Sequence, residues 1–77
     1  MNTIGTRLAQ ARRDKKLTMQ ALATLAGCGY QTVMHYEYDI HIPRADILAD
    51  ICKVLNVSID YIVNGKEFTY VDEETSK

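Results

Sequence analysis

The sequence predicts an all-α fold, a compact domain of five short helices, and three observations carry that prediction. Apolar residues recur at helical spacing in successive segments, each preceded by a capping residue and followed by a stop signal. Almost no stretch alternates as a half-buried strand would. The second and third segments are separated only by the turn "GCG", so two short helices must cross closely. Seventy-seven residues with 47% hydrophobic content allow one small core, near the lower limit for unaided folding.

The first helix is expected from about Thr3 to Lys15, with Ile4, Leu8 and Ala11 on one face and Asn2 or Thr3 as N-cap. Arg12, Arg13, Lys15 and Lys16 crowd its C-terminal end, where cations suit the helix dipole. Leu17 plugs the connection, and Thr18 caps a second helix, "MQALATLA", that stops at Gly27. The third begins near Gly29 or Tyr30 and runs to about Tyr38. The turn "YDIHIP" leads to Pro43, expected at the first position of a fourth helix, where its missing N–H is not needed. Ile47, Leu48, Ile51, Val54 and Leu55 give that helix its apolar stripe, and Asn56 suits a left-handed stop. Ser58 caps a last short helix, "IDYIV", with Asp60 in its first turn and Asn64-Gly65 closing it. Residues 1–66 are expected to form the domain and 67–77 a tail or the start of a linker, with "FTYV" a candidate strand and "DEETSK" mobile.

Several function classes drop out. No apolar stretch reaches the ~20 residues of a membrane span, and no signal-peptide pattern opens the chain, so a reducing cytoplasm and no membrane partner are expected. Cys28 and Cys52 lack C-x-x-C spacing and sit on apolar positions, which predicts two small buried thiols. With His35 and His41 they show no zinc-finger spacing, and neither metal nor cofactor is expected. No Ser/His/Asp set, phosphate loop or paired carboxylates argue for an enzyme; Asp46 and Asp50, four apart, read as a solvated acidic face. The net charge of −1 hides an asymmetry: residues 1–44 carry +3 and residues 45–77 carry −4, a dipole suited to orienting toward a polyanion.

In the third segment the polar side chains are Gln31, Thr32 and His35 rather than the Lys and Glu of an ordinary solvated face. Ala23 and Ala26 are small where the two helices cross, Gly27 permits the turn, and Val33 and Tyr36 face inward. The whole stretch "LTMQALATLAGCGYQTVMHYE" resembles the core of the lambda repressor/Cro-like (XRE) family of bacterial and phage regulators. Leu17-Thr18, Leu22-Ala23, Gly27, Val33 and Glu37 match that family's pattern, as do Pro43 and the closing "LNVSIDYIVNG". The resemblance implies a five-helix lambda-repressor-like DNA-binding domain whose helix-turn-helix lies at helices 2 and 3, with the third helix in the major groove. It also implies an internal ion pair between Arg12 and Glu37.

Helical geometry then places Tyr30, Gln31, Met34 and His35 on the outer side or margin of the third helix, as candidate base contacts. Gln31 can hold adenine bidentately, His35 can donate to guanine or a phosphate, and Met34 and the Tyr30 ring suit thymine methyls. Each also has an ordinary reading: Gln31 as an exposed polar residue, Tyr30 packed over the turn, Met34 as filler. Candidate contacts to the DNA backbone are Thr18, Met19, Gln20, Gly29, Tyr38, His41 and Arg44. Three positions depart from the family pattern. Met19 stands where Gln is common, Gly29 replaces a small polar cap, and Tyr38-Asp39 replaces a basic residue and Gly, putting a charge unwelcome beside DNA.

A reader of four or five base pairs works as a dimer on half-sites about one helical turn apart. Relatives use the loop before helix 4 and the last helix, which here offer Ile40, Ile42, Tyr61, Ile62 and Val63, with Phe68, Tyr70 and Val71 beyond. Ile62 above all is expected in the monomer core. The reading is therefore a regulator, a repressor by preference, acting as a homodimer on double-stranded operator DNA in a bacterial cell, close to the nucleoid. Its rival is a protein-interaction module of the same fold, an antitoxin or adaptor, for which Leu25 and Met34 supply apolar surface. An antirepressor or other protein partner fits either reading.

Overall fold

Helix ends in this chain are set by side chains that replace missing backbone partners. The computed structural model describes residues 2–65, which form α1 (Ile4–Asp14), α2 (Met19–Ala26), α3 (Tyr30–Glu37), α4 (Ala45–Leu55) and α5 (Ile59–Asn64), with no strand among the described residues. Thr3 accepts from the Thr6 amide at 3.1 Å while Thr6 Oγ1 accepts from the Thr3 amide at 2.7 Å, a reciprocal capping box. Thr18 Oγ1 accepts from the Ala21 amide at 3.0 Å and Ser58 Oγ from the Tyr61 amide at 2.9 Å. Gly27, Asn56 and Gly65 end their helices at φ +75°, +57° and +76°, the left-handed stops that the sequence predicts.

Pro43 lies elsewhere than expected. The N-cap of α4 is Arg44, in extended conformation, so Pro43 precedes the cap instead of opening the helix. The Arg44 amide donates to the Tyr36 hydroxyl at 3.2 Å, and that tether to α3 sets where α4 starts. The proposed "FTYV" strand, the "DEETSK" end and residues Phe68, Tyr70 and Val71 lie outside the described residues.

The core gathers one apolar face from every helix: Leu8, Leu22, Val33, Ile51, Leu55 and Ile62 are its fully buried large side chains. Each contributes roughly 1.5–3 kcal/mol by leaving water. α2 packs against α3 and α4, and α1 against α3 and α5. Ala23, wholly buried, lets α2 and its neighbours approach. Cys52 is buried, and burial pushes its thiol up to about 11. Cys28 corrects the expectation of two buried thiols: it is only half-buried, on the turn between α2 and α3 where solvent reaches one side. Burial still raises its thiol, with Asp50 adding to the effect.

Arg7 counts in the sequence only as a basic residue, yet its side chain is buried. Its Nε donates to the Ile62 carbonyl at 2.7 Å, Nη2 to the Val63 carbonyl at 3.0 Å, and Nη1 to the Asn2 carbonyl at 2.9 Å. A guanidinium at the negative end of α5 thus satisfies carbonyls that the helix leaves unpaired and ties α5 to α1.

Candidate nucleic-acid interface

The helix-turn-helix is built by α2, the turn at Gly27-Cys28-Gly29, and α3. Val33 and Tyr36 anchor α3 from within. At its far end Arg12 Nε donates to Glu37 Oε2 at 2.7 Å and Nη2 to Oε1 at 3.1 Å, a two-pronged pair that is almost wholly enclosed. The third guanidinium nitrogen, Nη1, donates to the Leu17 carbonyl at 2.7 Å, so the connection between α1 and α2 is held by the same side chain. The bond to Glu37 raises the Arg12 pKa, against a smaller opposing effect of burial.

A second clasp was not read from the sequence. Asp39, at φ +59°, turns its carboxylate onto the N-terminus of α1: Oδ1 accepts from the Gly5 amide at 2.9 Å and Oδ2 from the Thr3 hydroxyl at 2.6 Å. The charge expected to face a polyanion is instead taken up by the positive end of a helix. Asp tolerates the left-handed region and favours helix N-termini, but its partners lie 34 and 36 positions away. Gly5 makes the approach possible, because a Cβ there would overlap the Glu37 carbonyl oxygen and lie 2.7 Å from that of Tyr36.

The outer face of α3 presents Tyr30 and Gln31 to solvent, with Thr32, Met34 and His35 half-buried beside them. Glu37 is the only carboxylate in α3 and is consumed by Arg12, so the exposed face carries none. Gly29 caps α3 without a side-chain bond. Thr18 and Gln20 are exposed at the start of α2, where Gln20 Nε2 lies 3.3 Å from Thr24 Oγ1. Met19 points inward, packs on the core and helps to line a cleft of about 480 Å³ with Gln10, Arg13 and Tyr38. Gln10 and Arg13 lie beside these candidates but were not singled out from the sequence, where Arg13 reads only as a dipole-suited cation.

By its sequence the loop after α3 offers backbone amides to a phosphate, but those of Ile40, His41 and Arg44 are already taken: Ile40 and His41 donate to the His35 carbonyl at 2.8 and 3.4 Å, and Arg44 donates to the Tyr36 hydroxyl. Closing the end of α3 uses them. His41 and Arg44 are exposed, and the Arg44 guanidinium sits 3.0 Å from Asp46 in an open ion pair. The Asp46 carboxyl is held below its usual range, first by the Ile47 amide and secondarily by Arg44. Among the dimer candidates, Ile40 and Ile42 are 55% and 89% exposed, while Tyr61 is half-buried against the core and Ile62 lies wholly inside. Val63 is exposed, as are Leu25 and Tyr38.

A helix-turn-helix family model matches residues 8–62. The chain is 31% identical over 70 residues to the uncharacterized HTH-type transcriptional regulator YqaE of Bacillus subtilis, a match covering 91% of this chain and 60% of that one. It thus spans little more than half the length of that relative. The fold superposes with a TM-score of 0.81 on the P22 c2 repressor in complex with a synthetic operator, at 24% identity over 86% of this chain and all of the other. SinR in complex with DNA gives a TM-score of 0.75 at 28% identity, covering 78% of this chain and 97% of the other.

Proposed function

The chain belongs to the lambda repressor/Cro-like (XRE) helix-turn-helix family, whose members are DNA-binding transcriptional regulators and not enzymes, and from that premise we propose that it is the DNA-reading part of a repressor. It binds double-stranded operator DNA as a homodimer, with α3 in the major groove of each half-site. The observation that carries the reading is the carboxylate-free outer face of a recognition helix clamped at its end by Arg12 and Glu37. Tyr30, Gln31 and Met34 face the base edges, with His35 at their margin. Thr18, Gln20, the bare start of α3 at Gly29, Tyr38, His41 and Arg44 border the sugar-phosphate backbone.

So few cations make a monomer bind weakly, which favours paired domains. Ile40 and Ile42, the most exposed apolar pair of the loop before α4, supply the adjoining surface together with the outer side of α5. Selection of bound sequences from a random duplex pool tests the proposal. Recovery of an inverted repeat with half-sites about one turn apart supports it, and enrichment of no motif counts against it. With that operator in hand, Gln31→Ala should relax base preference at one position per half-site by roughly 1–3 kcal/mol, whereas Arg44→Ala should weaken binding to every sequence alike. Equal losses on operator and random DNA for Gln31→Ala would remove it from the base-reading set.

A further inference from the structure

The chain has only two histidines, and the fold places them against each other. The His35 and His41 rings meet edge to face, with centroids 4.9 Å apart and planes at 77°. The bonds from Ile40 and His41 to the His35 carbonyl turn the chain back and hold the pair together. Both rings line a cleft of about 410 Å³ that also receives Thr32, Tyr36 and Arg44.

Among the described residues, the charged and titratable groups around the pair are few. α3 contributes the Tyr36 phenol, whose oxygen accepts from the Arg44 amide. The start of α4 contributes Arg44, ion-paired with Asp46. The turn after α3 contributes Asp39, whose carboxylate is bonded to Thr3 and Gly5. Among the described residues no carboxylate lines the cleft. An edge-to-face pair accommodates one proton well, since the positive edge of one ring meets the electron-rich face of the other. A second charge at this distance is opposed by the first and by Arg44, unless an anion enters.

We propose that His35 and His41 form a proton-linked clamp for a phosphate of the DNA backbone: docking of the duplex draws at least one proton onto the pair. This rests on the DNA-binding reading above and assigns His35 to the backbone side of its two candidate roles. The sign follows from linkage. A phosphate partner favours the protonated pair in the complex, so the gain in affinity is complete at low pH and is lost as pH rises through the range in which the bound pair gives up its proton. Uptake of one proton changes affinity by up to about tenfold per pH unit within that range. Both cysteine thiols are raised by burial and stay protonated there.

The test measures duplex affinity of the whole chain at pH 6 and pH 8 at fixed ionic strength, for the native sequence and for the double variant His35→Gln, His41→Gln. Binding about tenfold weaker at pH 8, flattened in the double variant, supports the clamp; equal affinity at both pH values in the native chain overturns it while leaving the DNA-binding reading intact. Imidazole NMR titration of the native chain gives the second arm and needs no variant to fold. The pair should titrate at higher pH with duplex than without. An unchanged titration, or the same shift with inorganic phosphate alone, overturns the assignment to the duplex backbone. Failure to bind duplex at either pH overturns the DNA-binding reading and the clamp with it.

Discussion

Gly5→Ala is expected to be among the most damaging single-methyl changes in this chain. The added Cβ would overlap the Glu37 carbonyl oxygen and crowd the Tyr36 carbonyl at 2.7 Å and Asp39 Oδ1 at 2.8 Å. Two of these atoms are backbone at the end of the recognition helix and cannot swing aside. Overpacking of this kind costs about 3 kcal/mol, a large part of the stability of a small domain. Relief would require α1 to back away from α3, pulling Gly5 and Thr3 off Asp39. Chemical denaturation and duplex affinity should therefore fall together. Gly27→Ala is the control, because its φ of +75° makes alanine strained but nothing stands within 4 Å; it should cost only about 1 kcal/mol. Gly5 is helical and needs no left-handed backbone, so a loss there no greater than at Gly27 would show that α1 and α3 relax around the added methyl and that the close approach costs little.

Glu37→Ala is expected to cost about 3 kcal/mol, because it leaves the Arg12 guanidinium enclosed with one carbonyl, that of Leu17, and no counter-charge. Pairing Arg12→Met with Glu37→Leu should recover most of that stability, since removing both charges avoids their desolvation. DNA affinity should not return with it. The two-pronged bond sets the angle at which α3 leaves the body of the domain, and an apolar contact has no such directionality. The comparison to make is denaturation midpoint against duplex affinity across the single and double variants. A double variant that regains both would show that the pair serves stability alone.

Much of the architecture was legible in the sequence because its determinants are local. Thr18 before an apolar period, Gly27 after it, Asn56 and Ser58 at their stops each act within one helical turn, so the existence and type of all five helices follow from neighbours in the chain, while the start of α4 does not. The periodicity that puts Leu22, Val33, Leu48, Ile51 and Leu55 inside is equally local. Even the polar face of α3 could be read from spacing once Val33 and Tyr36 were turned inward.

What the sequence by itself determined about this protein is its set of helices, its core and its family. Apart from the Arg12–Glu37 pair, which the family resemblance implies, tertiary structure alone decided how those helices are latched. Arg7 reaches carbonyls 55 and 56 positions on, Asp39 caps a helix 34 positions back, and His35 meets His41 only because the loop folds over the end of α3. The physical reason is common to all. An arginine, an aspartate or a glycine looks the same along the chain whether it is solvated or buried against a distant helix end. Its role depends on which unsatisfied carbonyls, amides or backbone surfaces the packed helices bring within a few ångströms of it.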